Sequence, residues 1–285
     1  MIFFPHIGTY GRLGNQLFQY AAARSLSLER GTDLVVDSLA SNKWHGQKCL
    51  LPHFNVNILE ECDVSPLSLY EEADPFKIDK GFFDIPDNTL LRGFFQSIFY
   101  FSDYEDVIKK ELQLKTRPST FIKDLKSTTS KELVSIHLRR GDNTDGTDTS
   151  QSKLISHYDS GGPYETYLDK AVAEFPNSHF VMFTGGSRFS DDNSDDARWC
   201  QNFLESKGWK PEDYTISSGR STMEDFELIS SCDHNILSHV SSFGWWAAFL
   251  NINQTAKRVA PLNYHPDLKD YTHREMFYPT DWILL

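Results

Sequence analysis

No stretch of this chain approaches the roughly 18 consecutive apolar residues that a membrane-crossing helix needs. The N-terminus, Met1-Ile2-Phe3-Phe4-Pro5-His6, carries neither a basic leader nor a long apolar run. The expectation is therefore a soluble, cytoplasmic chain without signal or transmembrane segment. Cysteine is scarce: Cys49, Cys62, Cys200 and Cys232 form no C-x-x-C pair and show no metal-ligand spacing. Free thiols in a reducing compartment follow, and no metal site is expected. Positive charge is also in deficit, with 28 Lys and Arg against 40 Asp and Glu, a formal charge of −12. Such a surface repels nucleic acid and anionic membranes, so an anionic ligand needs a local basic pocket. Internal repeats and low-complexity tracts are absent.

The 285 residues carry enough apolar material for two modest cores, and two domains of roughly 120–160 residues fit that length. The start reads as one βαβ unit. Ile2 to Ile7 is a short apolar run, Gly8 to Gly14 a glycine-rich turn, and Gln16 to Arg30 a helix with Asn15 as its N-cap and Gly31 as its stop. Thr32 to Asp37 then reads as a buried strand. Residues 38 to about 125 are rich in aromatics and prolines and show few clean periods; within them Leu90 to Ser97 reads as a strand running into a loop. The polar stretch Lys123 to Lys131 is the expected linker, dividing the chain into domains 1–125 and 126–285.

Beyond it, strands at Leu133–Leu138, His179–Thr184, Tyr214–Ser217, Asn235–Ser238 and Arg258–Ala260 alternate with helices. The helices are expected at Tyr164–Phe175 and near Asp195–Glu205, Met223–Ser231 and Ser242–Leu250. Alternation of this kind predicts an α/β class with a parallel, Rossmann-like sheet covered on both faces. Ligands of such sheets bind beyond the carboxyl ends of the strands, near helix N-termini.

Three constellations sit at such ends. In Ser135-Ile-His137-Leu-Arg139-Arg140-Gly-Asp142, a strand delivers an imidazole, two guanidinium groups and a carboxylate. Arginine grips a diphosphate with paired, charge-assisted hydrogen bonds; the bland alternative is a surface Arg-Arg turn neutralised by Asp142. In Ser238-His239-Val240-Ser241-Ser242-Phe243-Gly244-Trp245-Trp246, a polar turn opens an apolar helix. The N–H groups of Ser241 to Phe243 with the serine hydroxyls make a phosphate cradle, or Ser241 is an ordinary cap. Trp245 and Trp246 read as core. Gly11-Arg12-Leu13-Gly14-Asn15-Gln16 resembles a dinucleotide loop without being G-x-G-x-x-G, or is a tight capped turn. Asp225, near a helix start, either complements the helix dipole or accepts two N–H bonds from a guanine edge, which selects guanine over adenine.

Taken together, these segments resemble the α-1,2-fucosyltransferase family and, more distantly, the α-1,6- and protein O-fucosyltransferases. Gly11 to Ala22 matches its N-terminal signature and His137-Leu-Arg-Arg-Gly-Asp142 its H-x-R-R-x-D motif. Glu224-Asp225, Ser231-Cys232, His234 to Leu237 and Ser242 to Trp246 match its C-terminal signature, and Tyr278-Pro-Thr-Asp-Trp282 closes the pattern. The resemblance implies a GT-B fold, two Rossmann-like domains facing across a cleft, with the acceptor mostly on the N-terminal domain and the donor on the C-terminal one. It implies GDP-β-L-fucose as donor, a galactose-terminated glycan as acceptor, and metal-independent inversion to an α-1,2 linkage. By the same analogy Arg139 holds the β-phosphate, and Ser241, Ser242 and Phe243 cradle the diphosphate. His137 and Asp225 contact the nucleoside, and Arg12 and Asn15 reach the donor from the other domain. Asp142 is the candidate base, or else a structural partner of Arg140. The chain departs from the pattern after Thr184, where Gly185 to Phe189 precede Ser190-Asp191-Asp192. His239 and Gly244 also stand where the family more often has Asn or Thr and Ser. A carbohydrate- or nucleotide-binding protein without catalysis, its aromatic groove holding glycans while Arg139 and Asp142 only pair with each other, is the alternative from another class.

Overall fold

The computed structural model describes residues 1–5, 7–8, 11–36, 48–60, 63, 65–75, 77–116, 120–141, 163–185, 192–262 and 277–285. The chain forms two units: Met1–Arg117 with Tyr271–Thr280, and Pro118–Asp270 with Asp281–Leu285.

The first unit contains a four-stranded parallel sheet. Its strands β1 (Ile2–Phe3), β2 (Leu34–Val35), β3 (Ser68–Glu71) and β4 (Thr89–Arg92) lie in the order β2-β1-β4-β3. Helix α1 (Leu13–Glu29) follows β1 and is buried on nearly every side, which suits its Ala21-Ala22-Ala23 run. It starts a turn earlier than the sequence suggests. Gly11, at φ 151°, lets the chain enter the helix at Leu13 with Arg12 at the N-cap, so Asn15 lies inside the first turn and does not cap it.

The polar residues of so buried a helix need partners. Gln16 donates to the Lys48 carbonyl (3.2 Å) and accepts from the Leu50 N–H (2.7 Å). Gln19 accepts from the Gly8 N–H (3.2 Å) and donates to the Gly93 carbonyl (2.9 Å). Arg24 grips Glu111, the last residue of helix α2 (Glu105–Glu111), with three contacts of 2.9–3.1 Å. The aromatic middle segment packs as a buried cluster. Phe82 lies 4.8 Å from Tyr100 and 5.4 Å from Phe95, ring centre to ring centre.

The second unit opens with helix α3 (Phe121–Thr128). This helix occupies most of the stretch expected as a linker. Six parallel strands follow: β5 (Leu133–Leu138), β6 (His179–Thr184), β7 (Tyr214–Ile216), β8 (His234–Ile236), β9 (Arg258–Ala260) and β10 (Ile283–Leu284). Their order is β7-β6-β5-β8-β9-β10, with all adjacent pairs parallel. Helices α4 (Pro163–Ala173), α5 (Ser194–Ser206), α6 (Thr222–Ile229) and α7 (Ser242–Phe249) connect them.

Side chains alternate across β5. Val134, Ile136 and Leu138 join the core formed with Tyr167, Leu168 and Leu204 of α4 and α5. Ser135 and His137 face the other way; there the Asn235 amide donates to Ser135 Oγ (2.8 Å) and His137 meets α7. Trp245 and Trp246 are fully buried. Cys49, Cys200 and Cys232 are buried free thiols, and Cys62 lies outside the described residues. Burial pushes the Cys200 thiol up to about 12, far from nucleophilic at neutral pH. No helix among the described residues is long and apolar enough to cross a membrane.

Candidate donor site

The strand order of the second unit reverses between β5 and β8. From β5 the chain runs outward through β6 to β7, then returns to lay β8 against the other side of β5. This is the switch point at which doubly wound sheets form a crevice beyond the strand ends. His137 lies near the carboxyl end of β5 and Arg139 and Arg140 just past it; β8 runs on into Ser238 and the loop before α7. The topology therefore collects the residues of two sequence motifs about a hundred positions apart.

The contacts are specific. The Arg139 N–H donates to Ser238 Oγ at 3.2 Å, tying the end of β5 to the loop after β8. Ser241 caps α7: its Oγ accepts from the Gly244 N–H at 3.1 Å and lies 3.0 Å from His137 Nδ1. The His137 ring stands 5.6 Å from Phe243, and Phe243 meets Phe226 edge to face at 5.5 Å. Phe226 follows Asp225 in α6, so a short aromatic chain joins the imidazole to the carboxylate-bearing helix. The packing explains Gly244. A Cβ there would lie 2.8 Å from His137 Nδ1, so the α7 first turn approaches the ring this closely only with glycine.

Val240, just before the cap, is held at φ 49°. Left-handed geometry in a β-branched residue costs on the order of 1–3 kcal/mol and is tolerated where the surroundings over-determine it. Here it turns the chain from Ser238 into the Ser241 cap.

The two arginines diverge. Arg140 Nε bonds Asp196 Oδ1 of α5 at 2.9 Å, and its guanidinium lies 3.8 Å above the Trp199 ring. That stack fixes Arg140 to the α5 face of the sheet. Arg139, one residue earlier and half-buried, belongs with His137 on the other side.

Asp225 is half-buried in the first turn of α6. Its Oδ1 accepts from the Ser217 hydroxyl at 2.6 Å. Near it, Asn193 is 5% exposed and joins the ends of two strands. Its Nδ2 donates to the carbonyls of Thr184 (3.0 Å) and Ser217 (3.1 Å), and its Oδ1 accepts from Ser218 Oγ and the Gly219 N–H, both at 3.2 Å. No sequence motif pointed to Ser217 or Asn193. A buried Asn just before a helix, between two strand ends, is the only signal they carry. Ser242 is buried at the start of α7. Asp142 and Asp191 lie outside the described residues; Asp192 accepts from the Ser194 N–H at 2.9 Å.

In the first unit, Asn15 Oδ1 accepts from Gln96 Nε2 at 2.7 Å, which turns the Asn15 amide nitrogen away from Gln96. Gly11 packs against that amide so closely that a Cβ would fall 2.1 Å from Asn15 Nδ2. Arg12 stands beside it at the N-cap of α1.

Comparison with known proteins gives a consistent picture. Residues 5–285 match the family described as glycosyl transferase family 11. An Alpha-1,2-colitosyltransferase of Escherichia coli is 24% identical, over 88% of this chain and 89% of the relative. The Galactoside alpha-(1,2)-fucosyltransferase 2 of Rattus norvegicus is also 24% identical, over 97% of this chain and 75% of the relative. Among solved structures, POFUT1 in complex with GDP superimposes with a TM-score of 0.54 at 12% identity, over 91% of this chain and 96% of that one. At that identity the likeness bears on the fold alone.

Proposed function

Since the chain belongs to glycosyl transferase family 11, we propose that it transfers L-fucose from GDP-β-L-fucose to the 2-hydroxyl of a galactose-terminated glycan, inverting the donor to an α-1,2 linkage. The observation that carries this reading is the meeting of His137, Arg139, Ser238 and Ser241 at the switch point of the second unit. A nucleoside diphosphate needs a cation and oriented N–H donors beside an apolar wall, and this end of the sheet has all three. The relatives named for α-1,2 transfer supply the linkage. The reading includes the GT-B arrangement, with Arg12 and Asn15 reaching the donor from the first unit.

The chemistry follows from the leaving group. Cleavage of the anomeric bond places negative charge on the β-phosphate of GDP. Arg139 meets it with a planar fork and α7 with the positive end of its dipole. In α7 the Gly244 N–H is taken by Ser241 Oγ and the Trp245 N–H by the Ser241 carbonyl. Ser242 and Phe243, in the first turn of α7, face the diphosphate in this mechanism. Preorganised donors of this kind are typically worth about 3–4 kcal/mol each at the transition state. The fucosyl ring carries oxocarbenium character while the acceptor hydroxyl attacks from the opposite face. Asp142 is the base of this proposal, by its place in the Arg139-Arg140-Gly141-Asp142 run. His137 and Asp225 hold the nucleoside, and His137 is oriented by Ser241.

Labelled GDP-fucose offered with a panel of galactose-terminated acceptors, followed by linkage analysis, tests the reading. An α-1,2-fucosylated product is expected, and hydrolysis without transfer to any acceptor would overturn it. Nucleotide-activated colitose belongs in the same screen, because one of the similar relatives is named for that sugar. In this mechanism Arg139 and α7 neutralise the charge on the leaving group, so activity is expected to persist in excess EDTA. A large loss restored by Mg²⁺ or Mn²⁺ would contradict the metal-independent mechanism. Asp225→Ala is expected to weaken GDP binding and erode the preference for GDP over ADP; calorimetry that found GDP affinity unchanged in the folded variant would remove Asp225 from the base site.

A further inference from the structure

Ser217 lies just past the end of β7, fully buried, and each of its polar atoms is engaged. Its N–H donates to the Met182 carbonyl at 2.8 Å, and its own carbonyl accepts from Asn193 Nδ2 at 3.1 Å. Its hydroxyl lies 2.6 Å from Asp225 Oδ1, and Arg220 Nη1 reaches the same hydroxyl oxygen at 3.3 Å. A guanidinium only donates, so Arg220 occupies a lone pair of Ser217 Oγ and the single hydroxyl proton is left for Asp225. Arg220 is itself held, its guanidinium stacked 4.2 Å above the Phe121 ring and bonded to the Ser218 carbonyl at 3.2 Å. The result is a one-way relay from Arg220 through Ser217 to Asp225.

We propose that Ser217 is a positioning residue for nucleobase selectivity: it locks the Asp225 carboxylate so that its remaining lone pairs take the ring N–H and the exocyclic amine of guanine. The inference rests on the reading of Asp225 as the guanine-selecting carboxylate and deepens it. An ionised carboxylate offers about four lone-pair directions, and Ser217 takes one of those on Oδ1. A two-point contact with the edge of the base uses two of these directions, one on each oxygen. The terminal torsion of Asp is broad and roughly two-fold, and the Ser217 bond narrows the range open to the carboxylate plane. Losing that bond passes part of the ordering cost to the ligand.

Binding of GDP, inosine diphosphate and ADP to the full chain, measured by calorimetry, tests this. Inosine diphosphate lacks the exocyclic amine, so the ratio of GDP to inosine diphosphate affinity reports the two-point contact. Ser217→Ala is expected to shrink that ratio about tenfold, the low end for a hydrogen bond to a charged group. Ser217→Thr keeps the hydroxyl and is expected to keep the ratio. In an Asp225→Ala background, Ser217→Ala is expected to change nothing further, since paired residues couple. If Ser217→Ala keeps the wild-type ratio while Asp225→Ala loses it, the proposal fails and the role of Asp225 stands. If Asp225→Ala also keeps the ratio, both fail. Equal weakening of all three nucleotides by Ser217→Ala would show a merely structural role and overturn the proposal as well.

Discussion

Arg139→Lys is expected to lower turnover at least about a hundredfold, the lower range for removing one charge-stabilising donor, and Arg139→Ala at least as much. Lysine keeps the charge, yet its ammonium is a compact, strongly hydrated point that cannot grip two oxygens in one plane. If Arg139 stabilises departing GDP more than the bound donor, the loss falls mainly on kcat and leaves KM close to wild type. The fold should survive. The side chain is half-buried, whereas the backbone N–H that holds the strand end to Ser238 is kept in every variant. Neighbouring Arg140 makes a useful contrast. Its guanidinium is bonded to Asp196 and stacked on Trp199, so its loss should be felt in stability before turnover. Steady-state kinetics on folded Arg139→Lys settles the point: near wild-type turnover would place the leaving-group stabilisation elsewhere.

The second unit was legible because its central strands, β5, β6 and β8, are buried on both faces. Leu133–Leu138 is apolar except for Ser135 and His137, and His179–Thr184 holds four apolar residues in a row; their expected bounds match β5 and β6. α4 shows helical spacing, though it begins at Pro163 and ends at Ala173, two residues before the Phe175 that still packs in the core. Where burial is one-sided or slight, the pattern fails. Among the residues of α3, only Ile122 is buried, so its Lys and Ser content imitates a linker. β3 lies at a sheet edge with mostly exposed side chains and no apolar alternation, and β10 has two residues. Asn15 misled for another reason. An Asn ahead of an apolar helix reads as a cap, but the positive φ of Gly11 starts the helix earlier and leaves the Asn15 carbonyl to Gln96. Candidate residues carried by contiguous motifs could be named from the sequence. In the second unit Ser217 and Asn193 could not, nor in the first unit could Gln96, because their partners are tertiary: Gln96 meets Asn15 across 81 positions.

Asn193 carries a large expected stability effect for a single polar side chain. Its amide has two N–H donors and an oxygen with two lone pairs, and the structure uses all four. Asn193→Ala leaves the Thr184 and Ser217 carbonyls without these bonds in a site closed to water. Buried groups stripped of partners cost about 1–3 kcal/mol each, so a loss of roughly 3 kcal/mol is expected. For a unit of this size that is a fall of roughly 6–12 °C in Tm. Because Asn193 also holds the Ser217-Ser218-Gly219 turn, GDP affinity should fall with it. Asn193→Asp keeps the shape but points a carboxylate oxygen at two carbonyls. Burial and carbonyl lone pairs both disfavour the charged form, so the folded-state pKa of the new carboxyl lies above its unfolded value. Between those two values the native state binds more protons than the unfolded one, and stability falls as pH rises. Asn193→Asp should therefore be less stable than Asn193→Ala at pH about 7.5 and recover on acidification toward pH about 5, where a protonated carboxyl can donate one of the lost bonds. Thermal denaturation of the two variants across that range measures it. A pH-independent gap between them, or a Tm for Asn193→Ala within about 2 °C of wild type, would show that the strand ends are held together without this amide.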